Sequence, residues 1–267
     1  MHHMYAPHVR RHAVSLLDSG LSQTDVNRQT GINRSTLRVW AQDRSLLDKY
    51  QDTDLCPRCE PVPRPPAPAH AYSYLLGLYL GDGCISPAGD PRKKVWRLRI
   101  ACDDKWPGLI DECEEAMSAV RPDHKVGRTR APGCTMVNGY WKHWPCVFPQ
   151  HAPGKKHERR IVLDPWQQEI VDEHPGRFVR GLMHSDGSRG LNRIARRDGQ
   201  GFYEYPRYLF ANTSREIVGL MTATLDRLEI PWKSHTKRQP GVLSQAAVSI
   251  SRKAAVARMD AFVGPKY

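Results

Sequence analysis

The chain has no run of about 18 apolar residues, so nothing in it reads as a membrane-spanning helix. Its first residues lack the apolar core of a signal peptide, so export is not expected. The cysteines stand at 56, 59, 84, 102, 113, 134 and 146, an odd number with no secretion signal. That argues against a disulfide framework and for reduced thiols in a cytoplasm. Neither a phosphate-cradling Walker loop nor a Gly-x-Ser-x-Gly turn occurs, which removes P-loop and serine-esterase chemistry. The chain does not open on Cys or Ser or close on His-Asn, so it is expected to be free-standing rather than an intein with an embedded nuclease. Acidic residues are in short supply, 28 against 40 Lys plus Arg in 267 residues, for a net charge of +12.

What is present is globular in composition: 40% hydrophobic and 25% charged residues, in a length that allows one large domain or two smaller ones. The basic excess is uneven. Residues 176–267 hold 16 basic and 7 acidic side chains, whereas residues 71–175 are nearly balanced at 15 and 14. Such a bias suits a polyanion, because neutralising phosphates releases counterions. Residues 61–68 carry five prolines in eight positions and can neither propagate a helix nor pair in a sheet. A linker over 51–70 is therefore expected between a small module at 5–50 and a larger one at 71–264.

The small module reads as three helices. Val9, Ala13, Leu16 and Leu17 form a helical stripe ended at Ser19-Gly20, and Ser22 can cap a second helix over about 23–30. Gly31 turns the chain, and Asn33 or Ser35 can cap a third helix holding Leu37, Trp40 and Ala41. The stretch from Gly20 to Trp40 resembles the helix-turn-helix of bacterial transposases and regulators. That resemblance implies a recognition helix with Asn33, Arg34, Ser35, Thr36 and Arg38 facing the major groove.

The larger module repeats itself. Tyr74-Leu-Leu-Gly-Leu-Tyr-Leu-Gly-Asp-Gly is echoed 104 residues later by Phe178-Val-Arg-Gly-Leu-Met-His-Ser-Asp-Gly, matching Gly77 with Gly181, Asp82 with Asp186 and Gly83 with Gly187. Each copy is followed by strand patterns, a helix (about 105–119 and 215–229), two more strands and a closing helix (about 164–174 and 252–262). Each half is thus helix, two strands, helix, two strands, helix, an α+β pseudo-two-fold pair with halves at 71–175 and 176–264. The interior glycine lets two such helices cross closely, and the terminal glycine is expected to supply the left-handed residue that stops each helix. A carboxylate at a helix C-terminus opposes the macrodipole, so two brought together call for a cation; hard oxygen ligands suit Mg²⁺.

The doubled motif resembles the single-chain, two-motif form of the LAGLIDADG homing endonucleases over about residues 71–262. The resemblance implies αββαββα halves whose strands (84–103, 124–142, 187–212 and 231–250) form a saddle over the major groove of double-stranded DNA. It implies metal binding by Asp82 and Asp186, with Mg²⁺ or Mn²⁺, and cutting of both strands by phosphodiester hydrolysis. Arg97, Arg99, Arg193, Arg196, Arg197, Lys237 and Arg238 are the strand-borne cations expected on DNA. The family's more common acid two residues before the metal-binding Asp is Leu80 in one motif and His184 in the other. His184 can face a nearby phosphate or pack at the helix interface. For the water-organising base of that family the candidates are Lys156, Arg159, Arg252 and Lys253, with Lys156 and Lys253 taken as catalytic.

Cys56-Pro-Arg-Cys59 has half of a zinc-site spacing, and Cys134, Cys146, His143 and His151 are the available partners by type. The combined expectation is a monomeric, cytoplasmic, nucleoid-associated and membrane-free DNA-binding protein of bacterial type: a Mg²⁺-dependent site-specific endonuclease, with a structural Zn²⁺ if Cys56 and Cys59 are ligands. The alternative is a non-cutting transcriptional regulator on the same fold.

Overall fold

In a computed structural model, described over residues 5, 7–48, 56–60, 62–122, 124–239, 242–264, 266 and 267, the chain divides into two compact units, Met1–Leu55 and Cys56–Tyr267.

The first unit is helical: α1 (Pro7–Asp18), α2 (Gln23–Thr30), α3 (Arg34–Gln42) and the single turn α4 (Ser45–Asp48). Its core gathers Ala13 and Val14, Val26, Leu37 and Trp40, with Ile32 from the α2–α3 turn, so each helix contributes the apolar face its spacing dictates. The Ser22 hydroxyl accepts from the Asp25 N–H at 3.2 Å and starts α2. Gly31 ends it in the left-handed region (φ 71°), its N–H bonded to the Asn27 carbonyl at 2.8 Å. Asn33 occupies the N-cap of α3 without a side-chain cap bond.

The second unit runs α5 (Ala69–Asp82), β1 (Gly83–Pro87), β2 (Trp96–Asp103), α6 (Pro107–Val120), β3 (Val126–Ala131), β4 (Cys134–Trp141), α7 (Trp144–Val147) and α8 (Pro165–Glu173). It then repeats: α9 (Pro175–Asp186), β5 (Gly187–Ala195), β6 (Phe202–Asn212), α10 (Arg215–Arg227), β7 (Lys233–Gln239), β8 (Val242–Ile250) and α11 (Lys253–Asp260). The expected α+β order holds in both halves, and α7 is an insertion peculiar to the first. Two four-stranded antiparallel sheets result, in the same order, β1-β2-β4-β3 and β5-β6-β8-β7. No helix among the described residues is long and apolar enough to cross a membrane.

At the centre α5 and α9 pack directly on each other. Every residue of α5 from Ala71 to Leu80 is buried; the stretch is apolar but for Ser73, whose hydroxyl donates to the His174 carbonyl at 3.0 Å. A β-carbon at Gly77 would lie 2.5 Å from the Phe178 carbonyl oxygen and 2.8 Å from the Leu182 nitrogen, and one at Gly181 would strike the Tyr74 carbonyl. The paired glycines are what let two backbones touch.

The terminal glycines act differently from the expectation. Gly83 (φ −82°, ψ 148°) and Gly187 (φ −101°, ψ 163°) are extended, not left-handed. Each helix stops because the chain runs straight into a strand. Glycine is needed there because a β-carbon would sit 2.5 Å from the Tyr79 Cα, or 2.6 Å from the Met183 Cα, of the preceding turn. The expected 51–70 linker is corrected in part: Cys56 is 2% exposed and belongs to the main core, so the second unit begins within that stretch.

The halves are also joined by polar groups. Arg180 of α9 clasps Glu112 of α6 through two bonds of 2.7 Å, both side chains nearly buried. In the first half, Gln167 donates to the Tyr72 hydroxyl at 2.7 Å and exchanges amide bonds with Gln150, a fully satisfied buried network that fixes α8 on α5.

Candidate functional site

Because α5 and α9 end together, their final residues Asp82 and Asp186 are neighbours, close enough for the charge of Asp186 to act on Asp82. Loss of hydration among the packed helix ends pushes the Asp82 carboxyl up to about 6, and Asp186 pushes the same way. Burial likewise raises Asp186, opposed first by the Asn212 amide, which donates to its carboxylate at 2.7 Å. The Asp186 carboxylate also lies against Gly81, where a β-carbon would be 3.0 Å from its oxygen. Among the described residues neither carboxylate forms a salt bridge. Two crowded, hard oxygen donors without a salt-bridged cation among the described residues, set where helix carbonyls add negative potential, fit a divalent metal ion.

Two clefts flank the pair. The one beside Asp186 is lined by Lys156, Asn212 and Gln245 among others, and the one beside Asp82 by Asp103, Cys102 and Lys266. Lys156 arrives from the 3-10 turn Lys156–Glu158 and donates to three carbonyls at the end of α5: Tyr79 at 2.5 Å, Leu80 at 3.1 Å and Gly81 at 2.7 Å. Burial lowers it to about 8, against the pull of both aspartates. Lys266 donates to the Ser185 carbonyl at the end of α9, at 3.4 Å, and is lowered by burial while Asp82 and Asp186 hold it up. Each central helix therefore has a lysine at its carbonyl end. The sequence does not single out Lys266 or Asn212, since Lys266 lies beyond the repeat and Asn212 reaches Asp186 only through the strand register.

The other candidates stand apart from this centre. Arg159 bonds the carbonyls of Ala152 and Gly154. Arg252 and Lys253 are exposed at the start of α11. His184 is buried and packs: its Nε2 lies 3.2 Å from the Val263 carbonyl, which can only accept, so Nδ1 accepts from the Tyr74 hydroxyl at 2.9 Å. Burial, then the Arg180 charge, lowers this imidazole to about 4.

Register divides each sheet into a core face and an open face. On β2, Leu98, Ile100 and Cys102 are buried, so Arg97 and Arg99 share the open face, opposite Tyr140 and Asn138 of β4. On β6, Tyr208 and Phe210 point inward, which puts Tyr203, Tyr205 and Arg207 on the open face with Asn192 and Ile194 of β5. Arg193 falls on the opposite register and is ion-paired with Glu204. Arg196 follows β5 and covers the Tyr203 ring at 5.1 Å, and Arg197 is exposed in the same turn. Lys237 and Arg238 lie in β7, but their side chains are outside the described residues. Tyr140 and Tyr203, 48% and 57% exposed, are open-face aromatics that composition alone does not place.

In the first unit Asn33, Arg34, Ser35 and Arg38 line one polar concavity with Gln23 and Thr24 of α2. Thr36, 8% exposed, faces inward instead.

Cys56 and Cys59 meet His143 and Cys146, all four ligand atoms lying within 4.8 Å of one another. Cys134 pairs with Asp103 at the β2–β4 end, and His151 packs on Trp96 at 5.0 Å, so neither joins the cluster.

No protein-family model matches the chain, and no curated protein matches it in sequence. Solved structures do match. Mesophilic variants of the homing endonuclease I-DmoI align at 13% identity and a TM-score of 0.51, over 73% of this chain and 96% of theirs. I-DmoI in complex with DNA and Mn aligns at 13% identity and a TM-score of 0.51, over 74% of this chain and 98% of its own. With two repeated αββαββα halves joined at crossing Gly-containing helices, the second unit has the LAGLIDADG fold.

Proposed function

We propose that the protein is a site-specific, metal-dependent DNA endonuclease, read from one observation: Asp82 and Asp186 end two crossing helices side by side, with no salt-bridge partner among the described residues and a lysine at each helix end. The structural neighbour solved with DNA and Mn supports the same reading. Asp82 and Asp186 would hold Mg²⁺ or Mn²⁺, which when bound supplies Lewis-acid stabilisation of a phosphodiester and lowers the pKa of water. The open faces of the two sheets, with Arg97, Arg99 and Arg207, would seat the duplex so that one phosphate of each strand meets the aspartate pair.

The lysines divide the work. All three N–H groups of Lys156 are taken by carbonyls, so it pins the end of α5 and contributes charge. Among the described residues Lys266 makes one long bond, which leaves donors for water or a phosphate oxygen. Asn212 orients Asp186. The first unit would add a helix-turn-helix contact through Arg34, Ser35 and Arg38, the side chains that α3 exposes.

That same exposed helix favours the second reading, a regulator that binds without cutting. A cleavage selection on a randomised duplex library with Mg²⁺ or Mn²⁺ separates the two. Cutting of both strands that disappears in Asp82→Asn and in Asp186→Asn, with binding kept, supports the nuclease. Selective binding with no cutting under any divalent ion supports the regulator.

A further inference from the structure

The cysteine–histidine cluster lies outside the aspartate centre and serves none of its chemistry. Its ligands come as two tight pairs with the same spacing, Cys56-Pro-Arg-Cys59 and His143-Trp-Pro-Cys146. Each pair is closed by a backbone bond, Cys59 N–H to the Cys56 carbonyl at 2.8 Å and Cys146 N–H to the His143 carbonyl at 2.9 Å. The two turns face each other across 83 intervening residues.

The distances between ligand atoms carry chemical information. Cys59 Sγ is 3.6 Å from Cys146 Sγ and 3.5 Å from His143 Nδ1, and Cys146 Sγ is 3.7 Å from the same nitrogen. A disulfide would bring the sulfurs to about 2.05 Å. A tetrahedron with metal–sulfur bonds of about 2.3 Å and a metal–nitrogen bond of about 2.05 Å has sulfur–sulfur edges of about 3.8 Å and sulfur–nitrogen edges of about 3.6 Å. The three edges among Cys59, His143 and Cys146 match that tetrahedron, and the Cys56 sulfur lies within 4.8 Å of each of them.

We propose that Cys56, Cys59, His143 and Cys146 bind one structural Zn²⁺ that staples the start of the second unit to its first half. Four protein ligands close the coordination sphere and leave no position for water or substrate, so the ion is structural rather than catalytic. The staple has a mechanical consequence. Between α4 and α5 the chain spans residues 49–68, but with Cys56 fixed only residues 49–55 connect the α1–α4 unit to its anchor. Cys56 itself is buried in the core, and Arg58 covers the Trp166 ring at 4.4 Å, so the first turn is seated on the unit it secures.

The test uses the full chain without an added His tag, purified in excess Mg²⁺. Elemental analysis should find about one zinc per chain. Cobalt exchange should give a sulfur-to-cobalt charge-transfer band together with tetrahedral d–d bands. Cys59→Ser and Cys146→Ser should each lose the metal and lower the thermal midpoint by several degrees, while Cys134→Ser and His151→Ala keep both. Zinc retained in Cys59→Ser but lost in Asp82→Asn would place the ion at the aspartates and overturn the proposal. A folded, metal-free chain that takes up neither zinc nor cobalt would overturn it too, as would a Cys59–Cys146 disulfide in reduced-buffer preparations. Should the serine variants fail to fold, the cobalt spectrum of the unmodified chain still decides.

Discussion

At the residue scale the two helix-end carboxylates, Asp82 and Asp186, are not equivalent, and the sheet register says why. Gly83 pairs with Ile100 and Gly187 with Phe210, so Cys102 stands in the first half where Asn212 stands in the second. Asp186 has an amide donor; Asp82 has the Cys102 thiol nearby, which among the described residues donates to no carboxylate oxygen. Removing the amide should therefore unbalance a two-strand cutter. Asn212→Ala is expected to accumulate nicked circles from a supercoiled target, and an unchanged ratio of nicked to linear product would rule out that role. His184 gives a pH prediction. Its folded pKa of about 4 lies below the unfolded value of about 6.5, so the unfolded chain binds the extra proton. The stabilisation is complete above about pH 6.5 and is lost as pH falls towards 4, up to roughly 3 kcal/mol. Urea midpoints of the wild type and His184→Gln should converge on acidification; parallel curves would refute the assignment.

At the element scale the crossing of α5 and α9 sets everything near the site. Gly77→Ala puts a methyl group against the Phe178 carbonyl, and backbone on both sides leaves it nowhere to go. A loss of about 1–3 kcal/mol is expected from the overpacking. Cleavage should fall further than stability does, because the helix ends carry the aspartates; full activity in a destabilised variant would show that the ends tolerate separation. On α3, Arg34→Ala and Arg38→Ala should each weaken DNA binding by about 1–3 kcal/mol if the arginine reads a base, and by less if it holds a phosphate. Unchanged affinity in both would remove the first unit from the DNA interface. The repeat in the sequence makes α5 and α9, the succession of strands along the chain and the closing helices readable, because hydrophobic periodicity and a glycine-flanked carboxylate are local signals. The short helix α7 is not readable, since four residues carry no periodicity.

For the whole molecule, the charge bias towards residues 176–267 implies binding that falls steeply with salt. Arg207→Ala, on the open face of the second sheet, should lower the slope of log K against log salt by about 0.9 for each phosphate it no longer neutralises. Arg193→Ala, on the core-face register and paired with Glu204, should leave that slope nearly unchanged. Equal effects would mean that the sheet's open face is not the DNA face.

That contrast marks what each level of description decides. Periodicity, two matched motifs and a basic excess are enough to establish the α+β repeat, the crossing helices and the two aspartates, because each is written in residues adjacent along the chain. Which arginines share a face is not so written, since a one-residue change of register inverts every side chain. Nor is the role of Gly83 and Gly187, where close approach to the preceding turn and not a left-handed backbone demands glycine. The partners of Cys56 and Cys59, and the approach of Lys266 to the aspartates, are set by packing across 80 and more residues. Those pairings exist only once the core has closed, and only the tertiary structure decided them.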